Sequence, residues 1–158
     1  MKPQKILSWP SLKRAILKER RKKNTIVFTN GCFDLLHVGH LKIFEKCKTL
    51  GDILVLGLNS DRSIRRLKGP SRPVVDEKDR AALLAGFEAI DYISLFNEDT
   101  PEKLIKIVRP DVLVKGGDWK SSSIVGRDVA KKVVRIPLVK GRSTTHLIER
   151  ILKVGKRK

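Results

Sequence analysis

Thr25-Ile26-Val27-Phe28-Thr29-Asn30-Gly31-Cys32-Phe33-Asp34-Leu35-Leu36-His37-Val38-Gly39-His40 is the stretch on which the reading of the chain turns. Its first five residues are β-branched or aromatic and suit a buried strand, while Leu41, Phe44, Glu45 and Leu50 begin a helix-like period. Between strand and helix lie two glycines and two histidines. Gly31 permits a sharp turn at the strand end, and Gly39 removes a side chain where a ligand would approach the first helical turn. A helix N-terminus there offers free N–H groups and a positive dipole end, which favour phosphate. His37 and His40 are three apart, so on one turn their rings point the same way. Imidazole can donate to phosphate oxygens and take a proton as negative charge builds, which suits a reaction in which pyrophosphate leaves.

Two other readings compete. A lone His-x-x-His is most often an ordinary helix start with a half-buried ring, but here the strand, the turn glycine and the helix glycine all fall at the offsets a phosphate turn needs. Cys32, His37, His40 and Cys47 form a nominal Cys/His set for a metal. Cys47 lies two helical turns past His40 and neither cysteine belongs to a close pair, so no protein-bound metal is expected.

A chain of 158 residues is long enough for one domain with a real core. Its net charge is +18, of which residues 1–23 carry +8 (nine Lys/Arg, one Glu) and residues 153–158 add four more positive charges. The expected division is a basic N-terminal helix or extension (1–23), a catalytic domain (24–152) and a basic tail (153–158). Basic ends can bind nucleic acid or acidic membrane surfaces. Without aromatic interleaving or a nucleic-acid module they read as solvated. Two cysteines and no apolar run of spanning length point to a reduced, cytoplasmic protein.

Taken in order, Ser11 is expected to cap a helix over Leu12, Ala15 and Ile16, with Trp9 and Pro10 before it. A second strand covers Ile53 to Leu58; Arg62 to Val75 is a polar, basic segment in which Lys68-Gly69-Pro70-Ser71-Arg72-Pro73 reads as an irregular loop, with Lys68 and Arg72 as cations able to close over phosphates. Asp76 caps a helix to about Ala89, and Arg80 near its start is a charge the dipole disfavours, which hints at an anionic partner. Tyr92 to Phe96 is a third strand. Thr100 is expected to cap a helix through Val108 with Pro101 at its first position, Val112 to Val114 is a fourth strand followed by Lys115-Gly116-Gly117-Asp118, and Val133 to Val139 is a fifth. Ser143 or Thr144 caps the last helix, a second N-terminus that could face phosphate.

Gly31-Cys32-Phe33-Asp34 followed by His37-Val38-Gly39-His40 is similar to the HxGH signature of the cytidylyltransferase-like nucleotidyltransferases. The strings Gly57-Leu58-Asn59-Ser60-Asp61, Arg66-Leu67-Lys68-Gly69-Pro70, Arg72-Pro73-Val74, Asn97-Glu98-Asp99-Thr100-Pro101, Val114-Lys115-Gly116-Gly117-Asp118 and Ser143-Thr144-Thr145 resemble D-glycero-β-D-manno-heptose 1-phosphate adenylyltransferases. The resemblance implies an α/β fold, a Rossmann-like doubly wound five-stranded parallel sheet in a single domain. It implies catalytic roles for His37, His40 and Lys68, and nucleotide binding by Gly31, Cys32, Phe33, Gly39, Arg80, Lys115, Gly116, Gly117, Asp118, Ser143, Thr144 and Thr145. Asp34, Asn59, Asp61 and Arg72 are the expected substrate-binding residues. The implied reactants are ATP and a sugar 1-phosphate, with Mg²⁺ carried on the triphosphate, a homodimer as a compatible assembly and a separate sugar kinase upstream. No specific nucleic acid and no membrane span are expected.

Three departures bear on the substrate. The segment between Gly126 and Val133 is shorter than usual, Arg142 replaces a usual aromatic residue, and Gly117-Asp118-Trp119 is similar to glycerol-3-phosphate cytidylyltransferases. A cytidylyltransferase for glycerol 3-phosphate or another alcohol phosphate therefore stands as one alternative. A non-catalytic, basic nucleic-acid-binding module on the same fold stands as another, opposed by two histidines kept at motif spacing.

Overall fold

The computed structural model of the chain describes residues 4–117, 124–137, 139 and 141–155. Five strands, β1 (Ile26–Gly31), β2 (Ile53–Asn59), β3 (Tyr92–Phe96), β4 (Val112–Gly116) and β5 (Lys132–Ile136), form one sheet in the order β3-β2-β1-β4-β5. Every pairing is parallel. The helices are α1 (Trp9–Arg21), α2 (Val38–Lys48), α3 (Asp61–Lys68), α4 (Glu77–Ala85), α5 (Glu102–Val108) and α6 (Thr144–Gly155).

The strands are apolar on both faces because both faces are covered. Ile26, Phe28, Val55 and Leu113 pack with Leu12 and Ile16 of α1 and Leu104, Ile105 and Val108 of α5. Val27, Leu54, Leu56, Leu58 and Val112 pack on the other face with Phe44 and Cys47 of α2 and Ala81 and Leu84 of α4. The alternation along β1 (26 and 28 against 27) is the two-residue period of a strand. Each such side chain contributes about 1.5–3 kcal/mol when taken from water, so the central strand, and with it the turn at its end, is held firmly.

Several boundaries differ from the sequence expectation, each for a local reason. α1 is capped by Ser8, whose side chain accepts from the Ser11 N–H; Pro10 thus falls in the first turn, where its missing N–H costs nothing. The basic helix is part of the fold, since Leu12 and Ile16 are buried, the Leu7 N–H donates to the Ile93 carbonyl and Trp9 Nε1 donates to the Leu95 carbonyl. The polar segment from Arg62 begins as α3, and the expected loop follows it from Lys68. Ser60 caps it by accepting from the Ser63 N–H at 3.1 Å, and Ile64 alone anchors its buried side with Ser63. α3 is short and mostly charged, its two aliphatic positions, Ile64 and Leu67, falling one turn apart on a single face. α4 stops at Ala85 rather than near Ala89, and β5 ends at Ile136 rather than Val139. Thr100 does not cap α5; the cap position is Pro101, with no side-chain hydrogen bond.

Candidate active site

The cleft begins where two strands part. β1 follows β2 as far as Gly31–Leu58, whereas its ladder with β4 runs through Val27–Val112 and Phe28–Leu113. Beyond that, side chains bridge the gap: Thr29 Oγ1 donates to the Val114 carbonyl at 3.2 Å and Lys115 Nζ donates to Asn30 Oδ1. With β2 on one side of β1 and β4 on the other, this is the topological switch point at the carboxyl ends of the strands, where open α/β sheets take ligands.

α2 starts at that opening. His37 is its N-cap, and His37 Nδ1 accepts from the Gly39 N–H at 3.1 Å, so the proton of the neutral ring sits on Nε2. The His40 ring stacks on His37 with centroids 3.8 Å apart and meets the Phe33 ring edge-on at 5.2 Å. A Cβ on residue 39 would lie 2.9 Å from the His37 ring, so Gly39 is required by the cap itself and not only by an approaching ligand. The turn also works differently from expectation. Phe33, not Gly31, takes the positive φ (44°), and a Cβ at Gly31 would press on the Phe33 ring at 3.0 Å.

A second helix start closes the other wall. Ser143 Oγ accepts from the His146 N–H at 3.1 Å, and Thr144 Oγ1 donates to the Leu35 carbonyl at 3.4 Å, tying α6 to the segment before His37. The cleft between the two helix starts has a volume of about 460 Å³ and is open to solvent. It brings together His37, His40 and Lys68 with Gly31, Cys32, Phe33 and Gly39. Asp34, Arg72, Gly116, Ser143, Thr144 and Thr145 complete the expected residues on its wall. Sequence reasoning missed Thr29, Asn30, Ile43, Val139 and Arg142, which also line it. For Thr29 and Asn30 the signal was available, since they end the central strand at the turn. Ile43 stands one turn past His40.

Among the described residues His40 Nδ1 is buried without a hydrogen-bond partner. Burial, then the charges of His37 and Lys68, push the His40 pKa down to about 4; burial also lowers that of His37. Both rings are therefore neutral near pH 7. The depressed value has a consequence for stability. Between the unfolded value near 6.5 and about 4 the unfolded chain binds more protons, so stability should fall as pH drops through that window. Urea midpoints from pH 7 to 4 should slope less in His40→Phe than in wild type; parallel slopes would remove His40 as the cause.

A family model described as cytidylyltransferase-like matches residues 28–153. The chain belongs to the cytidylyltransferase-like family. It is 58% identical over 146 residues to the bifunctional protein HldE of Syntrophotalea carbinolica, a match covering 90% of this chain and 30% of that protein. The HldE of Nitratiruptor sp. is 59% identical over 126 residues, covering 80% of this chain and 27% of the relative. The chain thus spans less than a third of the curated relatives it matches. Among solved structures, the lipopolysaccharide core biosynthesis protein of Thermoplasma volcanium aligns with a TM-score of 0.63 at 32% identity, over 74% of this chain and 99% of that one. Pantothenate synthetase of Thermus thermophilus (TM-score 0.58, 18% identity, 86% of this chain and 62% of that one) shares the fold.

Within this cytidylyltransferase-like nucleotidyltransferase domain, five expected site residues do not line the cleft. Arg80 is fully buried and donates to the carbonyls of Cys32 (2.5 Å), Asn59 (3.0 Å) and Val75 (2.9 Å) and to Asp61 Oδ1 (2.7 Å). The disfavoured charge at the start of α4 thus has its anionic partner inside the chain. Asp61 and Asn59 belong to the same brace, Asn59 also donating from Nδ2 to Ser63 Oγ at 3.0 Å. Lys115 lies beneath the cleft on Asn30, with burial pushing its pKa down to about 8. Gly117 takes a positive φ of 103° just beyond β4, and Asp118 lies outside the described residues.

Among the described residues no group of three or more His, Cys, Asp or Glu side chains is placed to hold a metal. Cys47 is in the core against Phe44, its thiol pushed up to about 12 by burial, so the nominal Cys/His set does not converge. The carboxylate on the cleft wall, Asp34, has both oxygens taken by protein donors. No helix among the described residues is long and apolar enough to cross a membrane.

Proposed function

We propose that this chain transfers the AMP moiety of ATP to D-glycero-β-D-manno-heptose 1-phosphate, giving ADP-heptose and pyrophosphate. The observation that carries the reading is the convergence of two neutral, stacked histidines and two helix N-termini on one cleft at the switch point. An oxygen of the sugar phosphate attacks the α-phosphorus in line, the bond to the bridging β-oxygen breaks, and pyrophosphate leaves. No covalent enzyme intermediate is needed, so positioning and charge stabilisation supply the rate. His37 Nε2–H, the His40 imidazole, the first N–H groups of α6 and the hydroxyls of Ser143, Thr144 and Thr145 hold the departing phosphates, and Lys68 adds a positive charge beside His40. Magnesium on the triphosphate would neutralise part of its charge.

The acceptor is supported by the strings around Lys68, Thr100 and Lys115 and by relatives named HldE and lipopolysaccharide core biosynthesis protein. A sugar kinase fits as the source of the 1-phosphate. The Gly117-Asp118-Trp119 string favours a second reading, CTP with glycerol 3-phosphate. Pyrophosphate release should be fastest with ATP and the heptose 1-phosphate. A higher kcat/KM with CTP and glycerol 3-phosphate would overturn the heptose reading. No release with any pair would favour a binding module.

A further inference from the structure

We propose that Asp34 is a positioning residue, holding one edge of the Arg72 guanidinium so that its other end reads the phosphate of the acceptor substrate. This rests on the nucleotidyltransferase reading above. The side chain of Asp34 is 1% exposed and that of Arg72 15%. A carboxylate buried to that degree persists as an anion only if it is paired and hydrogen-bonded. Asp34 Oδ2 accepts from Arg72 Nε at 2.8 Å and the Val74 N–H at 3.1 Å; Oδ1 accepts from the N–H groups of Val74 and Val75, each at 2.9 Å. Both oxygens are thus taken, although the residue stands on the cleft wall.

Arg72 is in the opposite condition. Its Nε is fixed, its two Nη groups have no hydrogen-bond partner among the described residues, and it lines the cleft. On the other side of the same segment Arg80 Nε takes the Val75 carbonyl at 2.9 Å, so residues 72–75 are clamped by their N–H groups and by a carbonyl together. A guanidinium held by one edge and open at the other suits a phosphate monoester, which it can grip with two parallel bonds.

The reaction geometry says which phosphate. In-line transfer puts the leaving pyrophosphate and the attacking oxygen on opposite sides of the α-phosphorus. The leaving side already has the starts of α2 and α6, and Lys68, whose charge is felt by His40, belongs with it. Arg72 stands on neither helix, on the connection between α3 and α4, and is left for the acceptor.

The test is steady-state kinetics of wild type, Arg72→Ala, Arg72→Lys, Asp34→Asn and the double variant Asp34→Asn/Arg72→Ala, with calorimetric titration of the acceptor phosphate into each. Arg72→Ala should raise the acceptor KM about 10- to 100-fold, with kcat and the KM for ATP changed by less than about threefold. Asp34→Asn should raise the same KM by at least about fivefold, and the double variant should match Arg72→Ala within about twofold, since the two act as one unit. Multiplying effects, or an acceptor KM within twofold of wild type in Arg72→Ala, would overturn the proposal. Arg72→Lys does not depend on whether Asp34→Asn folds: it keeps the charge but has no Nε to offer Asp34, and wild-type acceptor affinity there would also overturn it. Turnover separates this idea from the activity itself. An active wild type with Arg72-independent acceptor binding sinks only the positioning role, whereas Arg72-dependent binding without turnover sinks only the transfer reaction.

Discussion

Replacing His40 by alanine should lower kcat by about 10² to 10³, the loss seen when one donor to a developing oxyanion is removed. The KM for ATP should move far less. The reason lies in the neutral state of the ring. Burial, with His37 and Lys68 beside it, holds its pKa near 4, so without nucleotide it carries no charge, and its Nδ1 has no hydrogen-bond partner among the described residues. A triphosphate alone supplies an acceptor, but the charge that shifts onto the leaving oxygens at the transition state is what the imidazole meets best, and by then it can also take a proton. His37 contributes differently. Its Nδ1 is committed to the Gly39 N–H, so His37→Ala should weaken the α2 start and triphosphate binding together. Near-normal turnover by folded His40→Ala would remove His40 from the catalytic group. A rise in the KM for ATP with kcat unchanged would make it a ground-state contact.

The fold was legible because the chain alternates strand and helix, and four of the five strands are short apolar runs bounded by turn residues. What could not be read was the role of buried charge. Arg72 and Arg80 look alike in sequence, as cations in a polar stretch, yet one lines the cleft with no partner for its Nη groups among the described residues and the other is sealed among carbonyls. That difference is set by Asp34 and Asp61, 38 and 19 residues away, and no local pattern carries it. Gly31 and Gly39 were assigned to the right turn for partly the wrong reason. Their missing side chains make room for the rings of Phe33 and His37, which pack from two residues away. α3 escaped the sequence reading because its eight residues carry two aliphatic side chains, Ile64 and Leu67, too short a stripe to stand out among its charges.

Arg80→Met should destabilise the protein by about 3–5 kcal/mol, the cost of breaking a buried ion pair by removing one partner. Methionine nearly fills the space but donates nothing. The carbonyls of Cys32, Asn59 and Val75 and Asp61 Oδ1 would lose their shared donor at once, in a place where Arg80 is fully excluded from water. These groups come from the ends of β1 and β2 and from the approach to α4, so the brace joins the pieces that shape the cleft floor. The loss is a large part of the roughly 5–15 kcal/mol that holds a domain folded, and it should appear as a lower urea midpoint. Arg80→Lys keeps the charge but cannot reach four acceptors in different directions, and should fall between the two. The same variant decides between brace and ligand. If Arg80 acted chiefly as a cation for nucleotide phosphate, as the family resemblance implies, Arg80→Met would fold with wild-type stability and raise the KM for ATP. A loss under about 1 kcal/mol, no more than an ordinary exposed ion pair contributes, would rule out the brace.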